Sequence, residues 1–265
     1  MSLKGGFMDL ELTNRTVLVT GSYRGTGLII AKHFLNEGCR VFVHGLVSGQ
    51  AENAVAEIGG GDPVTGDIST SKGTEELLAQ LDRTPEILVN NFGTASSGSW
   101  KKSQDEDWLD MYQKNVLSAQ RLIQSILPHM AGMPFARIIN LGTVGSSRPN
   151  NSNPHYYASK GALSNMTIGL AREVAGTNIR VNLVSPGLIL TPEVKSSYLK
   201  RAAAQKDWGS TWSEVEPKIA RDIPIGRITR REEVADLILF LCSTKADAIH
   251  GQNIMIDGGS YGVVT

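Results

Sequence analysis

The sequence predicts one α/β domain, a doubly wound parallel sheet of about seven strands with helices on both faces. Two observations predict it. Short, uninterrupted apolar runs recur along the 265 residues with helix-spaced segments between them, the pattern of strands buried on both faces. The first run also passes into a glycine-rich turn and then a helical pattern, the order in which a strand brings a phosphate-bearing ligand to a helix N-terminus. No internal repeat or low-complexity linker divides the chain, and its length suits a single large core.

In order, residues 1–8 read as a tag-like or unstructured start and 9–265 as the domain. Thr16-Val17-Leu18-Val19-Thr20 is the first strand, followed by helical spacing at Leu28, Ile29, Ala31, His33, Phe34 and Leu35. Val41-Phe42-Val43 is the second strand, Pro63-Val64-Thr65 a weaker third and Ile87-Leu88-Val89 the fourth. The segment from Gln104 to Met130 predicts one long helix with Asn115 in its middle. Ile138-Ile139-Asn140-Leu141 and Ile179-Arg180-Val181-Asn182-Leu183-Val184 follow as strands, with a helix carrying Tyr156 and Lys160 between them. Val234, Leu237, Ile238 and Leu241 mark a last helix, and Ile254-Met255-Ile256 a last strand. The polar stretch 192–224, with Trp208 and Trp212, is the one long insertion; its length predicts a substrate loop or lid, with a plain surface helix pair as the alternative.

Composition narrows the function. With 26 basic against 26 acidic side chains, the chain has no electrostatic footprint for nucleic acid or an anionic membrane. Only Cys39 and Cys242 are present, which predicts buried thiols in a reducing compartment rather than a disulfide. The five histidines are scattered, so no metal site is expected. No apolar run reaches the roughly 18 residues of a membrane span, and Met1-Ser2-Leu3-Lys4-Gly5-Gly6 lacks a signal-peptide core. A cytoplasmic protein is expected.

Two motifs carry chemistry. In Thr20-Gly21-Ser22-Tyr23-Arg24-Gly25-Thr26-Gly27 the glycines let the backbone approach a pyrophosphate while helix N–H groups point at it. Tyr156 and Lys160, four residues apart, share a helix face, where an ammonium can stabilise a phenolate. A free tyrosine titrates near ~10, and a lysine charge about 5 Å away at an effective dielectric of ~20 is worth roughly 3 kcal/mol. Taken alone, each motif has a plainer reading. The pair could be a solvated helix face, the turn a turn without a ligand, Asp67 a loop cap and Pro186-Gly187 a bend.

Together, and in this order, the motifs resemble the short-chain dehydrogenase/reductase family, in its compact single-domain branch similar to 3-oxoacyl-[acyl-carrier-protein] reductases. The resemblance also rests on Asn90-Asn91-Phe92-Gly93, Asn140-Leu141-Gly142-Thr143, Ile223-Pro224-Ile225-Gly226-Arg227, Glu232-Glu233-Val234-Ala235 and Asp257-Gly258-Gly259, and runs from about Thr16 to Gly259. It implies a Rossmann-like fold and hydride transfer between a nicotinamide cofactor and a small-molecule carbonyl or secondary alcohol. Asn115, Thr143, Tyr156 and Lys160 match the catalytic tetrad, with threonine in serine's place, Tyr156 as acid/base, and Asn115 kinking its helix to hold a water. The implied cofactor residues begin with Gly21, Ser22, Tyr23, Arg24, Gly25, Thr26 and Gly27, then His44 and Gly45. Asp67 and Ile68 would hold the adenine, and Asn91, Phe92 and Gly93 the turn beside it, with Phe92 replacing a small residue. Tyr156 and Lys160 would also hold the ribose, and Pro186, Gly187, Ile189 and Thr191 the nicotinamide amide. A non-catalytic dinucleotide-binding regulator on the same fold is the alternative.

The second strand ends in Gly45 and Leu46 without a carboxylate to select NAD, while Arg24, His44 and Ser48 could surround a 2′-phosphate, which puts NADP ahead of NAD. The family resemblance further implies a homo-oligomer, a homotetramer or dimer. Its paired long helices would draw on Leu117, Leu122, Ile126, Leu163, Met166 and Leu170, although core packing would explain the same residues.

Overall fold

The computed structural model describes residues 8–205 and 207–261. The tag-like start expected over 1–8 lies outside the described residues except for Met8. Seven parallel strands form the central sheet: β1 (Thr16–Val19), β2 (Arg40–Gly45), β3 (Asp62–Thr65), β4 (Ile87–Asn90), β5 (Ala136–Leu141), β6 (Ile179–Pro186) and, last in the chain, β9 (Asn253–Ile256). Their spatial order is β3-β2-β1-β4-β5-β6-β9. The chain builds outward from β1 to β3 and returns to β4 on the other side of β1, so the direction of winding reverses between β1 and β4. Open parallel sheets bind ligands at that reversal, outside the carboxyl ends of the strands.

Alternation along each strand explains why both faces are covered. Val17 and Val19 of β1 pack with Val41 and Val43 of β2 and with Ile87 and Val89 of β4 on one face; Leu18, Phe42 and Leu88 point to the other. The first face is closed by α1 (Gly25–Asn36) and α9 (Arg231–Cys242), which bring Ile30, Phe34, Ile238 and Leu241. The second takes Leu77 from α3 (Ser71–Leu78), Leu122 and Ile126 from α5 (Ser118–Met130), and Leu163 and Leu170 from α6 (Pro154–Glu173). The last four side chains are therefore core, the alternative to the outer interface surface expected of them. The apolar groups that do face outward on these long helices are Leu109, Tyr112 and Ile168. Cys39 and Cys242 are free and buried, and burial pushes the Cys39 thiol up to about 12.

One segment differs from the sequence reading, and a second is helical, in line with the alternative offered for it. The helix expected over 104–130 is interrupted: α4 (Asp105–Tyr112) runs into a π turn at Gln113–Leu117 before α5 begins. An apolar period cannot show a local change of hydrogen-bond step. The insertion at 192–224 holds α7 (Pro192–Ala203) and α8 (Trp212–Ile219). Thr191 caps α7 by accepting the Val194 N–H at 3.2 Å, and Thr211 with Glu214 forms a capping box at α8. The insertion is tied down by a two-stranded parallel sheet, β7 (Ile189–Leu190) with β8 (Thr229–Arg230). Strands of two residues are too short to show a period. Arg230 also donates to both Glu216 carboxylate oxygens, at 2.6 and 3.0 Å, fastening α8 to the start of α9. Among the described residues, no helix is long and apolar enough to cross a membrane and no His/Cys/Asp/Glu group could hold a metal ion.

Candidate active site

The glycine turn lies over the carboxyl end of β1, and residues from β2 and β4 hold it there. Gly27 sits so close to its surroundings that a Cβ would collide with Asn91 Nδ2 and the Gly21 carbonyl. Asn91 Nδ2 uses that closeness, donating to the Thr20 carbonyl at 2.8 Å and the Gly21 carbonyl at 3.3 Å. The Phe92 N–H donates to Thr20 Oγ1 at 2.9 Å, so the Asn-Asn-Phe-Gly turn is bolted to the glycine turn from below. Ser22 is buried and structural: its hydroxyl donates to the Val19 carbonyl at 2.7 Å and accepts the His44 N–H at 2.8 Å.

His44 does not face a ligand, contrary to the reading that placed it around a phosphate. It is fully buried, with Nδ1 accepting the Gly21 N–H at 2.9 Å and Nε2 at 2.8 Å from the Gly66 carbonyl. Because Nδ1 accepts, the proton must sit on Nε2. Burial holds its pKa down at about 4, keeping the ring neutral. The imidazole is thus a strut under the turn. Gly45 is buried beneath the start of α2 (Gln50–Ile58), where a Cβ would lie 2.8 Å from Gln50 Cβ. Asp67 is exposed and its Oδ1 accepts from Ser69 N and Oγ at 3.0 and 2.7 Å; Ile68 belongs to the core.

A cleft opens above these parts in two lobes. The outer lobe, of about 240 Å³, is lined by Gly21, Tyr23, Arg24, Leu46, Phe92 and Lys114. The inner lobe, of about 210 Å³, is lined by Leu141, Gly142, Thr143, Tyr156, Lys160, Pro186, Gly187 and Ile189 with Ala95. Asn91, Gly93 and Thr94 line both lobes, which makes them one continuous cleft. Thr191 is absent from the lining, and its hydroxyl is engaged at the start of α7.

Three of the four expected catalytic side chains meet in the inner lobe, and the fourth stands behind it. Lys160 is buried and donates to the Leu141 carbonyl at 2.7 Å; burial pushes its pKa down to about 8. Burial pushes the Tyr156 phenol up to about 12, while a hydrogen bond from the Thr143 side chain pulls the other way. The phenol therefore keeps its proton across the neutral range. Thr143 Oγ1 also accepts the Gly145 N–H at 3.3 Å. Asn115 is buried in the π turn, where Nδ2 donates to the Thr94 carbonyl and to Ser159 Oγ, each at 3.0 Å, and Oδ1 accepts the Thr94 N–H at 2.8 Å. A side chain on Gly93 would meet both Asn115 Oδ1, at 2.5 Å, and Lys160 Nζ, at 3.3 Å, so only glycine fits between them. Ser159 passes the connection on by donating to the Tyr156 carbonyl at 2.7 Å.

Sequence reasoning missed Thr94, Ala95, Lys114 and Ser159. Thr94 and Ala95 directly follow a turn already singled out, which was the available signal. Lys114 had none, because the π turn decides where it points.

The sequence pattern of the family described as "Enoyl-(Acyl carrier protein) reductase" matches residues 21–261, nearly the whole chain. The chain belongs to the short-chain dehydrogenase/reductase family. Among its relatives in that family is the "Uncharacterized oxidoreductase YvrD" of Bacillus subtilis, 34% identical over 260 residues, covering 95% of this chain and 98% of the relative. The "3-oxoacyl-[acyl-carrier-protein] reductase FabG" of Haemophilus influenzae is 31% identical over 256 residues, covering 94% and 99%. Among solved structures, the L-sorbose reductase of Gluconobacter frateurii, complexed with NADPH and L-sorbose, superposes with a TM-score of 0.88 at 31% identity, over 97% of this chain and 100% of that one. The seven-stranded parallel sheet is that of an oxidoreductase of this family.

Proposed function

We propose that this protein interconverts a small-molecule carbonyl and a secondary alcohol with NADP(H), Tyr156 serving as acid and base. One observation carries the reading: a single cleft joins the glycine turn to Thr143, Tyr156 and Lys160 through Asn91, Gly93 and Thr94. The chain fits a dinucleotide, because the glycine turn carries no side chain at Gly21, Gly25 or Gly27 to block it and the first amides of α1 offer backbone N–H groups to a pyrophosphate. When bound, the nicotinamide supplies or takes the hydride. Tyr156 gives its proton to the carbonyl oxygen in reduction and accepts it back in oxidation. Thr143, within hydrogen-bond reach of that phenol, orients the same oxygen. Lys160, held on the Leu141 carbonyl, keeps a positive charge beside the site below about pH 8. A dinucleotide-binding regulator would leave this proton-handling group without a purpose.

Arg24 and Lys114 are the cations of the outer lobe, and no carboxylate stands at Gly45 or Leu46. This charge balance supports NADP over NAD, in line with the NADPH of the sorbose reductase complex. The insertion that carries α7 and α8 begins three residues after the cleft residue Ile189, which supports reading it as the substrate loop. Exposed Leu109, Tyr112 and Ile168 support a homo-oligomer, a tetramer or dimer, and the free thiols support a cytoplasmic setting.

The test is NADPH consumption, followed by absorbance, over a panel of ketones, sugars and acyl thioesters. Tyr156→Phe is expected to lose at least ~10²-fold in turnover while binding NADPH as before. Arg24→Ala should weaken NADPH about tenfold and leave NADH unchanged. Wild-type turnover in Tyr156→Phe would refute the proton donor. Tighter binding of NADH than NADPH would refute the cofactor choice.

A further inference from the structure

His155 has no place in the tetrad, yet it is buried against Tyr156 with both ring nitrogens engaged. Nδ1 accepts the Tyr156 N–H at 2.9 Å. That amide lies in the first turn of α6, where backbone N–H groups have no partner within the helix. Since Nδ1 accepts, the ring proton sits on Nε2, which stands 3.1 Å from Ser96 Oγ and donates to it. Ser96 directly follows Thr94 and Ala95, the wall of the inner lobe that faces Tyr156.

A second pair of bonds repeats the connection one turn away. Asn153 Oδ1 accepts the Gly98 N–H at 3.0 Å, and the Asn153 N–H donates to the Gly98 carbonyl at 3.0 Å. Asn153 adopts a left-handed conformation, φ 49°, and makes no side-chain cap on its own helix, so its side chain serves the loop instead. Trp108 of α4 closes the arrangement, its ring edge-on to His155 at 6.1 Å between centroids.

We propose that His155 is a positioning residue, its neutral imidazole clasping the first turn of α6 to the loop after β4 and so setting the distance between Tyr156 and the opposite wall of the cleft. The inference rests on Tyr156 being the proton donor. A displacement of Tyr156 by a fraction of an ångström changes the rate of proton transfer far more than the affinity for a dinucleotide bound mainly at the glycine turn.

The experiment compares His155→Leu, His155→Asn and Ser96→Ala with wild type and Tyr156→Phe, measuring kcat, KM for the best carbonyl substrate, NADPH affinity by fluorescence and the unfolding midpoint. His155→Leu is expected to lose at least about tenfold in kcat with NADPH affinity within about twofold. His155→Asn keeps an acceptor near the Nδ1 position and should recover to within about threefold of wild type, while Ser96→Ala should lose about threefold. Equal kcat in His155→Leu and wild type overturns the proposal. So does a His155→Asn enzyme as slow as His155→Leu, which would make the ring a packing element only. Should His155→Leu fail to fold, unchanged kcat in both Ser96→Ala and His155→Asn overturns it as well. Tyr156→Phe separates the two levels: if that variant turns over normally the proton donor itself is misassigned, whatever the His155 variants do.

Discussion

Lys160 carries a charge in a place that resists charge. Its pKa falls to about 8 because burial disfavours the ammonium. Below about pH 8 the lysine is protonated in both the folded and unfolded chain, and burying that charge costs stability. Between about 8 and the ordinary lysine value of ~10.4 the unfolded chain binds the extra proton, so stability rises with pH through that window. Lys160→Met should therefore raise the unfolding midpoint at pH 7, flatten the rise between pH 8 and 10, and abolish turnover; thermal unfolding at several pH values checks the sign. At Thr143 the hydroxyl matters more than the extra methyl. Thr143→Ser should keep activity and Thr143→Val should lose most of it, since valine is nearly isosteric but can reach neither Tyr156 nor the Gly145 N–H; steady-state rates at saturating NADPH decide it. Tyr156 and Lys160 share a helix face that their sequence spacing shows, and Thr143, which the family resemblance named, lines the same lobe of the cleft. The role of His44 was not visible in the sequence. Whether its ring turns inward depends on the Gly66 carbonyl, which belongs to another strand's end.

The elements were visible wherever a period was long enough to declare itself. The seven sheet strands and the helices α1 and α9 follow from apolar spacing, while α6 was placed by the Tyr156/Lys160 motif. The strands β7 and β8 and the π turn do not follow from spacing, being shorter than any period. The π turn nevertheless carries the greater consequence, because it is an α-helix with one residue too many. Removing one residue from Gln113–Leu117 would restore a continuous α-helix with its two flanking faces nearly in phase, but would change where the residues of the turn itself point. Asn115 could then no longer reach Thr94 and Ser159 while Leu122 and Ile126 keep their places in the core. Deleting Lys114 is expected to lose turnover and to lower the unfolding midpoint, whereas Lys114→Ala should leave the midpoint near wild type; circular dichroism melts of the two variants make the comparison.

For the whole molecule, the proposed association is the property to test. Leu109 and Tyr112 on α4 and Ile168 on α6 are 66%, 44% and 41% exposed, and the proposed association would draw on these apolar side chains. Light scattering at micromolar concentration should give a mass of two or four chains, and Leu109→Lys combined with Ile168→Lys should lower it; a monomeric wild type would remove the proposal. The sequence located those helices but left open whether Leu122, Ile126, Leu163 and Leu170 were interface or core, since the two share one chemistry and only packing, which puts them in the core, separates them. The pairing of β1 with β4 has a consequence in time. Asn91 grips the glycine turn from 71 residues away in the chain, and no strand of the sheet is joined to its partner by a tight hairpin. The chain must close long loops before the turn has anything beneath it, which makes folding slow. A dinucleotide arriving early finds only an unsupported glycine loop. It should leave the refolding rate as it is and slow unfolding instead, acting as a brake on loss of the finished structure rather than a template for reaching it.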